Sequence, residues 1–131
     1  MKTLRVGIAS LDQYKERTMA IVRGEYKVGP DEPKVWFSSI ESFAKILSEP
    51  NRELLRIIAE TKPRSLNELA ERTGRAKSNL SRTLKTMERH SLVRFEKGKG
   101  RMLVPRTTYT DVILDLSLRA TRVRRRTLVP A

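Results

Sequence analysis

The chain has 131 residues, of which 28 are Lys or Arg and 15 are Asp or Glu, and its formal net charge is +13. A length of this order fits one domain with a hydrophobic core, and the strong positive charge favours a polyanionic partner, nucleic acid before membrane or acidic protein. The sequence contains no cysteine, which excludes disulfides, thiolate zinc sites and cysteine catalysis.

Residues 1–37 are predicted to form a strand and a helix, an extension that could serve dimerisation. Apolar residues alternate with polar or small ones from Thr3 to Ala9, which is typical of a strand. Ser10 and Gln13 fit a capping box that opens a helix reaching about Arg23. The apolar set of this helix is Leu11, Tyr14, Thr18, Ile21 and Val22. After a loop rich in Gly and Pro, residues 35–37 could form a short strand.

Two further helices are predicted between residues 38 and 62. Ser38 and Glu41 fit a second capping box. The apolar residues of the first helix are Ile40, Phe43, Ala44 and Leu47. Pro50 is expected to interrupt the chain and Asn51 to cap the next helix, which ends at Lys62. The apolar stripe of that second helix is Leu54, Ile57 and Ile58.

Residues 65–90 are predicted to form a helix-turn-helix. Ser65 and Glu68 fit a third capping box, and Gly74 can supply the left-handed conformation of a tight helix–helix corner. The first helix has Leu66, Leu69, Ala70 and Thr73 on one face. The second helix, from about Ala76 to His90, is expected to bury Leu80, Leu84 and Met87.

The opposite face of the helix over residues 76–90 suits base reading in the major groove of DNA. Short polar side chains let the backbone approach the groove, Asn can pair with adenine, and Arg can pair with guanine. The predicted base contacts are Ser78, Asn79, Ser81 and Arg82. An ordinary solvated face is the alternative, but Glu88 is the single acid in this helix, which favours DNA.

A basic β-hairpin is predicted over residues 92–105, with strands from Leu92 to Glu96 and from Arg101 to Pro105. Residues 75–106 hold 10 Lys or Arg and only 2 acids. Cations at the hairpin turn could contact phosphates beside the groove, although a merely solubilising turn would have the same composition. The predicted phosphate contacts of the whole region are Ser65, Arg75, Lys77, Lys85, Lys97, Lys99 and Arg101.

The C-terminal part contains a segment over residues 107–118 and a basic tail over residues 119–131. The alternation of Val112, Leu114 and Leu116 favours a strand over a turn or two of helix. Such a strand could pair with Thr3 to Ala9, forming a sheet or a dimer seam. The tail holds five arginines and no acid, and we expect it to be disordered when free. It could lengthen the DNA footprint, fold onto an acidic partner or simply add solubility.

Three motifs carry a resemblance to known families: LNELAERTG at 66–74, SNLSRTLKTME at 78–88 and LVRFEKGKGR at 92–101. Residues 51–106 resemble the winged helix-turn-helix of MarR- and ArsR-type prokaryotic transcription regulators, in which the second motif is the recognition helix and the third is the wing. The whole chain is similar to a group of small predicted prokaryotic DNA-binding regulators, some of which resemble antitoxins.

The resemblance implies a mostly helical α/β fold, with a winged helix-turn-helix domain over residues 38–106. Three departures limit what carries over. Ser91 stands where these families usually place Gly, and a positive φ there would cost about 1 kcal/mol. Metal sensing does not carry over, because the chain has no Cys and one His. The chain also shows no clear long dimerisation helices at both ends, which an effector pocket would need.

These observations predict a cytoplasmic transcriptional repressor that binds specific sites in double-stranded DNA as a homodimer, without cofactor or metal. The alternative is an antitoxin that binds a toxin protein and represses its own operon. RNA binding is a weaker third, because no exposed aromatic set accompanies the basic groups.

Enzymatic activity and a membrane partner are not expected. His90 is the single histidine and lies at a predicted helix end, where a capping or surface role is more common than a general base. The sequence has neither a glycine-rich phosphate loop before a helix nor a carboxylate cluster for a metal. No apolar run approaches the roughly 20 residues that cross a bilayer.

Overall fold

The computed structural model describes residues 2–100 and 102–118, so the predicted phosphate contact Arg101 and the basic tail lie outside the described residues. Within this range the chain is mixed α/β. Its elements, in order, are β1 (Thr3–Ile8), α1 (Leu11–Val22), β2 (Val35–Phe37), α2 (Ile40–Ile46), α3 (Glu49–Thr61), α4 (Leu66–Thr73), α5 (Lys77–Arg89), β3 (Val93–Lys97), β4 (Leu103–Thr107) and β5 (Asp111–Asp115). They divide into two compact units: residues 3–43 with 111–118, and residues 44–110 with residue 2.

A three-stranded parallel sheet in the order β2-β1-β5 forms the first unit, which we call the sheet unit. β1 pairs with β2 from Val6 opposite Val35, and with β5 from Thr3 opposite Asp111. The predicted pairing of the C-terminal strand with residues 3–9 is confirmed, and it forms a sheet within one chain. Because β1 has a partner on both edges, it leaves no edge for the dimer seam that this pairing could also have formed.

α1 begins as predicted but packs a different face from the predicted apolar set. The capping box is present: Ser10 Oγ accepts from the Gln13 N–H at 3.2 Å, and the Gln13 side chain accepts from the Ser10 N–H at 2.9 Å. Three members of the apolar set stay exposed, Leu11 by 64%, Tyr14 by 44% and Val22 by 74%. Ala20 is the buried residue of this helix, and Ile21 is partly buried beside it.

Packing on the sheet explains why α1 turns this face inward. The Arg17 guanidinium lies over the rings of Trp36 and Tyr26, 5.0 and 5.7 Å from their centroids. A Cβ at Gly7 would come within 2.4 Å of the Trp36 ring, so Trp36 fills the space over β1 at this point. The Arg17 guanidinium gains cation–π contacts with both rings, and its aliphatic stem can cover apolar surface.

α2 begins one residue later than the predicted capping box. Ser39, rather than Ser38, accepts the N–H of Ser42 at 3.0 Å. Both of these neighbouring serines have a hydroxyl that can cap a helix, and the prediction of Ser38 as the cap is wrong. The ring of Phe43 packs edge-on against that of Phe37, with centroids 5.3 Å apart.

α3 begins at Glu49, two residues before the predicted cap. Ser48 is its N-cap and accepts the N–H of Asn51 at 3.4 Å. The expectation that Pro50 interrupts the chain is therefore wrong, because proline lacks an N–H that the first helical turn would leave unpaired anyway. The helix ends at the predicted point, with Lys62 in the left-handed conformation at φ 45°.

The second unit, which we call the helical unit, has the predicted helix pair and its predicted core. α4 ends at Gly74, which has φ 74°, and α5 follows after two residues. The apolar stripes of three helices supply fully buried side chains to one core: Leu54, Ile58, Leu69, Leu80, Leu84 and Met87. In each of these helices the predicted apolar stripe, which follows the 3.6-residue helical period, faces the core.

β3 and β4 form the predicted antiparallel hairpin, one to two residues later than expected. Val93 and Val104 are buried and pack towards the core, whereas Met102 is 45% exposed. Ser91 has φ 62°, which confirms that this position before the hairpin takes the conformation that favours glycine. The Thr108 hydroxyl donates to the Ser91 carbonyl at 2.5 Å and closes the base of the hairpin.

Candidate nucleic-acid interface

α5 holds its polar face outward because its apolar face is fully engaged. Leu80, Leu84 and Met87 have no exposed surface, and their three- and four-residue spacing places them on one side of the helix. Five predicted contact residues on the other side are exposed: Lys77, Ser78, Asn79, Arg82 and Lys85. The sixth, Ser81, is half-buried. The structure thus brings all four predicted base contacts together on one helix.

The side chains of this face are uncommitted within the described part of the chain. Those of Ser78, Asn79 and Arg82 make no hydrogen bond or ion pair with a described residue, and the same holds for Lys77 and Lys85. A buried helix face would instead have its polar groups satisfied internally. The face can therefore offer hydroxyl, amide, guanidinium and ammonium donors to an outside acceptor.

The first turn of α5 differs from those of the serine-capped helices. Its N-cap is Ala76, and no side chain accepts a hydrogen bond there, whereas Ser10, Ser48 and Ser65 cap α1, α3 and α4. The first N–H groups of a helix carry a partial positive charge. This turn also contains no acid, so the partial positive charge of its N–H groups adds to the charge of the cations on the same face.

Arg75 is held by the protein just before α5 begins. Its guanidinium donates to the Asn51 side-chain oxygen at 3.2 Å and to the Pro50 carbonyl at 2.9 Å, both at the start of α3. Its backbone N–H donates to the Thr73 hydroxyl at 3.2 Å. Two donors of a five-donor group are thus used, and a phosphate contact would need the others. The sequence could not indicate this link, because 24 residues separate Arg75 from Asn51.

Ser65, predicted to contact phosphate, caps α4. Its Oγ accepts the Glu68 N–H at 3.0 Å, which leaves the hydroxyl hydrogen available to an acceptor. The predicted box is altered at its other half, since the Glu68 carboxylate accepts from the Arg64 N–H at 2.7 Å rather than from Ser65. That hydrogen bond, aided by Arg72, holds the pKa of Glu68 below its usual value.

The hairpin tip, residues 97–100, is exposed throughout. A turn closes it, in which the Gly98 N–H donates to the Met102 carbonyl at 2.8 Å and Gly100 has φ 64°. The side chains of Lys97 and Lys99 make no hydrogen bond or ion pair with a described residue. Both predicted cations therefore stand in solvent at the end of the hairpin.

The hairpin tip lies beside the N-terminus of α4. A Cβ placed on Gly98 would be 3.8 Å from the Arg64 carbonyl oxygen. Further down the hairpin, the Arg106 guanidinium donates to the Pro63 carbonyl at 2.9 Å. These contacts fix the hairpin against the α3–α4 connection and bring its tip next to Arg64, the residue before Ser65.

Arg64 is a candidate that the sequence analysis missed. It is exposed, directly precedes the Ser65 cap and lies next to the hairpin tip. Its position before a helix cap was readable in the sequence, but its closeness to the hairpin was not, because that depends on a contact between distant residues.

The acidic side chains of the hairpin and of α5 do not pair with the predicted contact residues that the structure describes. Glu96 pairs with Arg94 at 2.7 Å and lies 3.9 Å from Arg106 across the hairpin. Glu88 lies near the C-terminal end of α5, away from the first turn. In the part of the chain that the structure describes, no cluster of His, Asp and Glu could hold a metal ion, and no helix could cross a membrane.

A family model described as HVO_A0114 matches residues 46–114. The matched segment spans just over half of the chain and contains α3, α4, α5, β3 and β4. It therefore includes the polar face of α5 and the hairpin tip. No curated protein matches the chain.

Proposed function

The chain belongs to the HVO_A0114 family, and we propose that it is a winged helix-turn-helix protein that binds specific sites in double-stranded DNA and represses transcription as a homodimer. One observation carries the proposal: α5 presents an uncommitted, acid-poor polar face in the same compact unit as a cationic hairpin tip. In this proposal α4 and α5 are the helix-turn-helix, α5 is the recognition helix and the β3–β4 hairpin is the wing.

The proposed readout uses α5 in the major groove, whose width of about 12 Å admits a helix. Ser78 and Asn79 lie in the first turn, where a recognition helix meets base edges. Ser81 and Arg82 follow within one further turn, and a guanidinium can donate to both acceptors of guanine. Leu80 is fully buried and fixes the rotation of the helix, so Ser78 and Arg82, four residues apart, lie on the outward face, with Asn79 and Ser81 at its two edges.

Phosphate contacts would position the helix without specifying sequence. On α5 these are Lys77 and Lys85, which flank the base-reading side chains. Beside the groove they are Ser65, Arg64 and the lysines of the hairpin tip. Arg75 acts first as a link that fixes the start of α5 against α3, with its remaining donors available to a phosphate. Arg101 remains a prediction from the sequence.

Binding measurements test the proposal directly. Fluorescence anisotropy would compare duplexes tiled upstream of the protein's own gene with shuffled duplexes of the same composition. We expect at least one natural duplex to bind about 10³-fold more tightly than its shuffled partner. Equal affinity for all duplexes would overturn sequence-specific binding, and absence of binding at low salt would overturn DNA binding altogether.

Arg82→Ala tests the base-reading role of α5. We expect a loss of about 1–3 kcal/mol on the preferred duplex and a smaller loss on shuffled DNA. Arg56→Ala is the matched control, because Arg56 is exposed on α3 and pairs there with Glu53 and Glu60. The control should leave both affinities unchanged. Equal losses for Arg82→Ala on the two duplexes would make Arg82 a phosphate contact.

The antitoxin alternative adds a toxin partner to the same DNA-binding step. Deleting residues 119–131 separates the two, because the arginine-rich tail is the segment whose charge fits an acidic protein. Loss of a co-purifying protein with DNA affinity retained would favour the antitoxin. Loss of DNA affinity alone would favour a tail that contacts phosphates.

A further inference from the structure

α1 presents an apolar stripe that no described residue covers. Leu11, Tyr14 and Val22 lie on its outer side, with Thr18 between them, at spacings of three and four residues. Met19, which is 50% exposed, flanks the stripe. Solvent-exposed apolar side chains scattered singly need no explanation, but a continuous stripe along three turns of one helix does.

The charge of α1 decides what can cover this stripe. Within Leu11–Val22 there are two acids and two bases, so the helix is neutral in a chain whose net charge is +13. The net positive charge of the chain lies mainly in residues 75–106 and 119–131, which repel the same segments of a second copy, whereas this neutral face does not. A neutral face attracts neither DNA nor an acidic protein, and it lacks the Lys/Arg-rich polar side and the Trp or Phe of membrane-surface helices.

We propose that the outer face of α1 is where a second copy of this chain docks, with the two helices antiparallel about a two-fold axis. A parallel pair would set Asp12 and Glu16 beside their own copies. An antiparallel pair instead places Leu11 opposite the partner's Val22 and Tyr14 opposite the partner's Met19. The small Thr18 near the centre lets the two helices approach closely.

This inference rests on the proposed function for its purpose, since a two-fold dimer can present two recognition helices to a palindromic site. A standard interface buries about 800 Å² per partner. One face of a 12-residue helix supplies less than that, so we expect the dimer to be weak in free solution. Two adjacent half-sites would then raise the local concentration of the second copy and complete the dimer on DNA.

Sedimentation velocity over a concentration series, without DNA, tests the surface itself. We expect reversible dimerisation, and we expect Val22→Asp to raise the dimer dissociation constant about tenfold or more, because the pair would bury an unpaired carboxylate. Ile40→Asp is the matched control, an exposed apolar residue at the start of α2, and it should leave the constant unchanged. A dimer equally weakened by both variants, or unaffected by Val22→Asp, would overturn the proposal.

The absence of native cysteine allows a test of the antiparallel arrangement. Mixing Leu11→Cys with Val22→Cys under mild oxidation should give mainly the mixed disulfide. Efficient coupling of Leu11→Cys to itself would contradict the antiparallel arrangement. To separate this inference from the proposed function, Val22→Asp is titrated onto a duplex carrying one half-site, where binding should match the wild type. Failure of the wild type to bind any duplex would count against the proposed function alone.

Discussion

α5 and α1 are amphipathic helices of nearly equal length that leave opposite faces uncovered. α5 buries Leu80, Leu84 and Met87 completely and turns a polar, cationic face to solvent. α1 packs through Ala20 and Arg17 and leaves its apolar residues outside. The outward face of each helix indicates what it can bind: the first suits a polyanion with hydrogen-bond acceptors, and the second suits another apolar surface.

The largest expected difference between the two helices is in how much their apolar side chains contribute to the free energy of unfolding. Leu84→Ala removes a fully buried side chain, and we expect a loss of about 2–5 kcal/mol in the free energy of unfolding. Leu11→Ala removes a largely exposed one and should change it by less than about 0.5 kcal/mol in the monomer. Urea unfolding monitored by circular dichroism measures both. Equal losses would mean that α1 also packs through its apolar stripe.

The salt dependence of DNA binding tests whether cations of the hairpin tip, and not those of α1, contact phosphates. Lys99→Ala should weaken binding to all duplexes alike and reduce the slope of log K against log salt by about one unit, because one phosphate contact is lost. Lys15→Ala, an equal change of charge on α1, should leave the slope unchanged. An unchanged slope for Lys99→Ala would remove the hairpin tip from the proposed interface.

The turns that follow the two helices differ in a way that affects stability. Gly24 follows α1 at φ 76°, whereas Ser91 adopts φ 62° after α5. We expect Ser91→Gly to raise the free energy of unfolding by about 0.5–1 kcal/mol, because glycine lacks the Cβ that disfavours this conformation. Ser91→Ala keeps the Cβ and should bring no such gain. A gain for alanine as well would point to the hydroxyl rather than the backbone.

The helix caps predict a small difference in pH dependence. At the start of α1 the side chain that accepts a backbone N–H is the neutral Gln13. At the start of α4 it is Glu68, whose pKa is lowered by the Arg64 N–H and by Arg72. A lowered pKa stabilises the folded state above the unfolded-state pKa, and this contribution disappears as pH falls through the folded-state pKa. Glu68→Gln should therefore flatten the loss of stability in acid.

Glu71→Gln is the control for the cap of α4. Glu71 lies exposed on the same helix and makes no hydrogen bond or ion pair with a described residue. It should leave the acid limb of the stability curve unchanged. Thermal unfolding followed from neutral to acid pH compares the variants, and an acid limb equally steep in Glu68→Gln would contradict the role assigned to this carboxylate.

The contrast also shows which features the sequence could predict. The helical unit was predicted closely because caps, Gly74 and the apolar period agree in placing α4 and α5. The packed face of α1 could not be predicted, because the apolar pattern does not tell whether a stripe is covered by its own chain. The cap of α2 was misplaced because neighbouring serines offer equivalent acceptors, and that of α3 because Ser48, three residues earlier, accepts the N–H of the predicted cap Asn51. Links such as Arg75 to Asn51 depend on distant residues and leave no local pattern.

NMR titration of isotope-labelled protein with the preferred duplex distinguishes the two helices by their amide chemical shifts. In the proposed complex α5 and the hairpin tip contact DNA, whereas the outer face of α1 does not. With Val22→Asp as the protein, so that DNA-linked dimerisation adds no shifts, we expect the largest changes at residues 77–85 and 97–100 and small changes along residues 11–22. Large changes confined to α1, with α5 unperturbed, would rule out α5 as the helix that contacts DNA.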